Sequence, residues 1–239
     1  MMASILLTSR NADYLPEELS SINKDLENKF FYFEREIDTV HFKLHSTNIY
    51  RDYFVQVYPE DLDESQLNED MLDVLRSYTD SRSNECYVKT NLNLLSACMN
   101  GIDWNYVNRL RSVIRSLSQT DLKHVYYRGL NLTDIEISHY MAKRKRSFYT
   151  TSFLSFTTDR LLIYPGNALM ILNIDRSSDE AKKNIANIWK WSAFKEEKEA
   201  LVAVGSRLKI MSVHYFCDRW QIELELIDEK HLDEEETIT

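Results

Sequence analysis

Residues 197–227 read EKEALVAVGSRLKIMSVHYFCDRWQIELELI, and this stretch decides the fold. EALVAV, RLKIMSVHYF and RWQIELELI are short runs rich in Val, Ile, Leu and aromatics, several of them alternating apolar with polar residues, which is the strand pattern. Gly205-Ser206 separates the first two runs, and Cys217-Asp218 joins the last two as a hairpin. Working back toward residue 123, HVYYRG, SFYTTSFLSF and NALMILNI have the same texture, with one helical segment at about 133–145 between the first two. Before residue 123 the reading is mainly helical. PEELSSINKDLENK (16–29) opens with Pro and acids, as a helix start does. The aromatic run FFYFEREIDTVHFKL that follows is undecided between helix and strand. Leu62, Leu67, Met71, Leu72 and Leu75 space an amphipathic helix over about 64–78, and further helices fall near 87–100 and 103–118. In the last, Trp104, Val107, Leu110, Val113, Ile114 and Leu117 recur every three or four residues and form a core stripe. A helical portion followed by a strand-rich one is an α+β arrangement.

Composition removes several function classes. The 239 residues include four glycines and three prolines, where average usage gives about 17 glycines. Neither a G-x-G-x-x-G turn nor a G-x-x-x-x-G-K-[ST] loop can be built from Gly101, Gly129, Gly166 and Gly205. The net charge of −9 is concentrated, since residues 228–239 hold six acids and one lysine, and this block reads as a solvated acidic tail. No broad basic surface for nucleic acid is evident, Lys143-Arg144-Lys145-Arg146 being the one dense basic run. Cys86, Cys98 and Cys217 are an odd number without close spacing, which argues against a disulfide framework or a zinc site. His41 and His45 stand at i, i+4 but lack the Glu of H-E-x-x-H and a third ligand. No signal-peptide pattern and no apolar run of membrane-spanning length is present, so the expectation is a cytoplasmic protein without membrane or nucleic-acid partners.

Three places combine residues that can carry chemistry. In Tyr126-Tyr127-Arg128-Gly129 an arginine ends a strand and glycine lets backbone approach a ligand closely. In FYTTSFLSFTTD (148–159) hydroxyls alternate with large aromatics. In FKEEKEALV (194–202) Glu197 and Glu199 stand two apart at the mouth of an apolar strand, and a period of two turns both carboxylates to one side of an extended chain. Taken singly, each also reads as ordinary structure: an ion-paired arginine, a Thr/Ser-rich strand, a solvated charge run.

In order and spacing the three together resemble the R-S-E class of mono-ADP-ribosyltransferases, the arginine-directed enzymes that include eukaryotic transferases and actin-modifying bacterial toxins. The resemblance runs from about Tyr78 to Ile227, with residues 123–227 its specific part. It rests on the aromatic-Arg-Gly, the Ser/Thr strand, and an E-x-E ending followed by an apolar strand, a small-residue turn and W-x-[IV]-x-L. Residues 184–194 look like the loop that precedes the family's glutamates. The resemblance implies two packed antiparallel-type sheets around an NAD cleft, after an N-terminal extension (1–60) and before the tail, with the domain over 61–227. It implies NAD as co-substrate, no metal, and a protein partner with an exposed arginine.

Residue by residue, the resemblance implies that Arg128 holds a phosphate of NAD and Gly129 offers backbone groups to the nicotinamide carboxamide. Ser155 positions the catalytic glutamate and the nicotinamide ribose. Ser155-Phe156-Thr157 stands in place of the family's S-T-S, so the middle hydroxyl is lost. Glu199 matches the catalytic glutamate that binds the ribose 2′-hydroxyl and favours the oxocarbenium-like state. Glu197 orients the incoming guanidinium and takes up its proton. Tyr164 is placed to stack on nicotinamide, and Phe194 to dock the target. Two alternatives stand beside arginine transfer: an NAD glycohydrolase, and an inactive transferase fold serving as a binding module.

Overall fold

In a computed structural model, the structure describes residues 68–80, 89–91, 93–94, 101–118 and 121–228. The expected helices at 16–29 and, for the most part, 87–100 lie outside these residues, as do the aromatic run after residue 29, His41, His45, Cys86, Cys98 and nearly all of the acidic tail.

The helical portion is built from helices α1 (Glu69–Thr79) and α2 (Trp104–Leu117). The Asn68 side chain accepts from Met71 N–H at 2.9 Å, and Asp103 accepts from Tyr106 N–H at 3.0 Å. Each side chain satisfies an amide that the first helical turn leaves without a partner. Val107, Leu110, Val113, Ile114 and Leu117 are fully buried, so the stripe read from the sequence is a core stripe. Each such side chain contributes about 1.5–3 kcal/mol by leaving water.

Eight strands follow: β1 (Val125–Leu130), β2 (Ser147–Tyr149), β3 (Leu154–Thr157), β4 (Ala168–Asn173), β5 (Ile185–Asn187), β6 (Glu199–Val202), β7 (Arg207–Phe216) and β8 (Arg219–Ile227). Helix α3 (Asp134–Ala142) lies between β1 and β2, and the single-turn α4 (Asp179–Lys182) precedes β5. A reciprocal Thr133–Glu136 capping box starts α3. The chain ends this helix at Ala142, three residues short of the expected boundary, and Lys145 takes a φ of 70° in the turn that leads into β2.

The expectation of two packed antiparallel sheets is corrected. Among the described residues the strands form one sheet, ordered β2-β7-β8-β4-β1-β3-β6-β5, and β4 pairs with β8 in parallel. The reason is a narrow junction. β1 and β3 meet at one register pair, Tyr127 with Thr157, and this joins the arm β3-β6-β5 to the arm β1-β4-β8-β7-β2. The run SFYTTSFLSF also splits, β2 going to one edge of the sheet while β3 enters its middle.

β6 is buried along its whole length because it faces a core on each side. Leu201 packs with Phe153, Ala186, Ile188 and the α1–α2 pair. Ala200 and Val202 join Phe156, Met170, Leu208, Ile222 and Leu224 on the other side. A strand covered on both faces reads as a continuous apolar run, as EALV does after its first residue. The Cys217-Asp218 connection is a two-residue hairpin with φ of 49° and 61°, the positive pair that suits a strand twist.

Candidate active site

Arg128 sits on β1 with 6% of its surface exposed. A buried guanidinium requires acceptors, and its Nη1 donates to the Ser155 carbonyl at 2.7 Å. Ser155 belongs to the short strand β3, which the helical portion fixes just upstream. Phe153 N–H donates to Asn91 Oδ1 at 3.1 Å, Asn91 Nδ2 donates to the Tyr78 hydroxyl at 2.9 Å, and the Tyr78 and Phe153 rings meet edge to face at 5.6 Å.

Glu199 opens β6 opposite Thr157 and is 7% exposed. Its carbonyl accepts from the amides of Ile188 and Trp189 at 2.9 and 3.2 Å, which fixes the backbone where the carboxylate projects. Burial pushes the carboxyl up from its ordinary value to about 7. A hydrogen bond from Ser155 opposes that rise, the charge of Glu197 adds to it, and Arg128 lowers it. Arg128, Ser155 and Glu197 thus all act on the Glu199 carboxyl, and the four residues come from three separate stretches of sequence.

The two glutamates do not share one extended segment, which corrects the period-two reading. Lys195–Glu197 form a 3-10 turn, and Lys198 ends it in the left-handed conformation with φ 48° and ψ 43°. The strand begins only at Glu199. Glu197 is half-buried on this turn, and its carbonyl accepts from Thr157 Oγ1 at 2.9 Å. What the sequence period missed was the turn. Its signal was five charged residues in a row after Phe194, too polar for a strand buried on both faces.

Gly129 is a close approach. A Cβ there would lie 2.0 Å from the Tyr164 carbonyl oxygen and 2.7 Å from Ile163 Cγ2. The loop carrying Tyr164 thus crosses directly over β1. The Tyr164 hydroxyl accepts from Asn131 Nδ2 at 3.3 Å. Phe194 is half-buried, and its amide donates to Ser192 Oγ at 3.1 Å. The next amide back, Ala193 N–H, donates to Thr79 Oγ1 at 3.1 Å, so α1 anchors the segment that leads to the glutamates. Sequence reading did not find Thr79, Asn91 or Asp159, which act through loops that only the fold brings near. Among the described residues no group of three or more His, Cys, Asp or Glu is arranged to hold a metal ion. None of the helices there is long and apolar enough to cross a membrane.

No family model matches the sequence, and no curated protein matches it either. Solved structures do match by shape. The type III effector XopAI from Xanthomonas axonopodis pv. citri is 13% identical with a TM-score of 0.54, over 69% of this chain and 69% of that one. Vis toxin, an ADP-ribosyltransferase from Vibrio splendidus, is 15% identical with a TM-score of 0.53, over 72% of this chain and 79% of that one. An ADP-ribosyltransferase from Clostridium botulinum is 13% identical with a TM-score of 0.53, over 68% of this chain and 88% of that one. At such identities the likeness is one of fold, and the chain has the fold of the bacterial ADP-ribosyltransferase toxins.

Proposed function

We propose that the protein transfers a single ADP-ribose from NAD to arginine side chains of a protein, with release of nicotinamide. The observation that carries this reading is Glu199, a buried carboxylate that receives a hydrogen bond from Ser155 and feels both Arg128 and Glu197. The shared fold supports it.

NAD supplies the bond that breaks, between the nicotinamide nitrogen and the ribose, and the electron pair leaves with nicotinamide. Arg128 holds a phosphate through its planar fork, which suits oxygen pairs. Among the described residues the fork has one protein acceptor, the Ser155 carbonyl, so donors remain for a ligand. Gly129 offers backbone groups, Ser155 and Thr157 line the ribose side, and Tyr164 stacks on the leaving ring. Ionised Glu199 binds the ribose 2′-hydroxyl and stabilises the positive charge that develops at the ribose carbon. Glu197 draws in the target guanidinium, which stays protonated at neutral pH, and takes its proton as the new carbon–nitrogen bond forms. Phe194 docks the target beside it.

A second reading, hydrolysis of NAD with water as acceptor, is favoured by the separate placement of the glutamates. Glu199 sits on its strand and Glu197 on a turn of its own, so bond breaking does not depend on guanidinium capture. The variant Glu197→Gln separates the two. We expect it to suppress arginine transfer while retaining NAD hydrolysis, with both products measured in one reaction. Equal loss of both activities contradicts this division of roles.

A further inference from the structure

Lys198 stands between the two glutamates in a conformation that a residue with a Cβ enters at a cost. Three interactions hold it there. Lys198 Nζ meets Asp159 Oδ2 at 2.7 Å, Thr158 N–H donates to the Lys198 carbonyl at 3.2 Å, and Thr157 Oγ1 donates to the Glu197 carbonyl at 2.9 Å. Asp159 is tied in further, and its carbonyl accepts from Leu162 N–H at 3.0 Å. Its amide donates to Thr157 Oγ1 at 3.1 Å, and its Oδ1 accepts from Leu161 N–H at 2.9 Å. The latter bond caps the 3-10 turn Arg160–Leu162, which begins the loop bearing Tyr164.

One carboxylate therefore joins the loop that crosses over Gly129 to the turn that carries Glu197. We propose that Asp159 and Lys198 are positioning residues, a clamp that holds Glu197 beside Glu199 and so sets how well arginine competes with water as the acceptor. This rests on the transferase reading above. Neither residue touches the reacting atoms, and both act through the turn. Asp159 stays ionised, because Lys198 and then the Leu161 amide hold its carboxyl below the ordinary value.

The double variant Asp159→Asn/Lys198→Gln removes the ion pair while preserving local net charge, side-chain size and an acceptor for Leu161 N–H. An exposed ion pair biases a conformation by about fivefold at most. In the full chain, the ratio of arginine transfer to NAD hydrolysis should fall by up to about that factor, while Lys198→Arg keeps the wild-type ratio. A second readout is independent of activity. The charge of Glu197 raises the Glu199 carboxyl, so a carbon-13 NMR titration should show Glu199 titrating at lower pH in the double variant than in wild type. An unshifted titration overturns the clamp whatever the activities show. An unchanged product ratio in an active wild-type background overturns it too. Failure of the transferase reading appears differently, as absence of arginine labelling by wild type.

Discussion

Ser155 and Glu199 lie on adjacent strands, and the Ser155 hydroxyl donates to a carboxyl that burial has pushed up to about 7. That bond favours the ionised carboxylate and so opposes the desolvation. The pH profile of NAD turnover should therefore rise through an apparent value near 7 in kcat/KM, which reports the free protein. In Ser155→Ala the rising limb should move to higher pH. A limb that stays in place would show that the serine does not tune this acid.

The raised carboxyl also has a sign for stability. The Glu199 value is higher folded than its ordinary 4.5, so the folded chain binds the extra proton. Stability from this group is present at low pH and is lost as pH rises from 4.5 toward 7. Glu199→Gln should then stabilise the protein at pH ~8 by up to about 3 kcal/mol, and by much less at pH ~5. Thermal melts of both proteins at the two pH values check this, and a variant less stable at the higher pH contradicts it.

At Gly129 the Cβ of an alanine would overlap the Tyr164 carbonyl at 2.0 Å, so the backbone of that loop must move. Because misplacement by about 1 Å can cost on the order of a hundredfold, Gly129→Ala should raise the KM for NAD at least about tenfold. The loop is half-exposed, so the melting temperature should change far less than that of a core variant such as Leu110→Ala. A KM close to wild type would remove Gly129 from the nucleotide side of the site.

Thr79 tests the purpose of the helical portion. Its hydroxyl is the acceptor for Ala193 N–H, and Thr79→Val leaves that amide to water at a cost of about 1 kcal/mol or less. Arginine transfer should fall more than NAD hydrolysis, because the loosened segment leads to Phe194 and Glu197. Equal effects on both would make α1 a support for the whole fold rather than for the acceptor side.

Much of the sheet was legible because its strands carry their own period. NALMILNI, RLKIMSVHYF and RWQIELELI became β4, β7 and β8 with ends moved by no more than a residue, and Cys217-Asp218 became the expected hairpin. The union of the strands was not legible. One register pair between Tyr127 and Thr157 decides that there is one sheet, and nothing local in either segment encodes it. β5 is three residues at an edge, too short to show alternation. In the site, Arg128, Ser155 and Glu199 were reached through the family resemblance, and the structure brings them near one another. The turn at Lys198 was missed because a charge run looks the same on a strand edge and in a turn. Asp159 was missed because its ion-pair partner, Lys198, lies 39 residues away on another loop.

We propose that Glu199, set among Arg128, Ser155 and Glu197, drives cleavage of the nicotinamide–ribose bond of NAD and transfer of ADP-ribose to arginine. It is tested most directly by incubating the full chain with NAD labelled in its ADP-ribose part and a cell lysate, beside Glu199→Gln. Wild type should release nicotinamide and label proteins through hydroxylamine-sensitive arginine bonds, and both products should be lost in the variant. Neither product from wild type, or the same yield from Glu199→Gln, would contradict it.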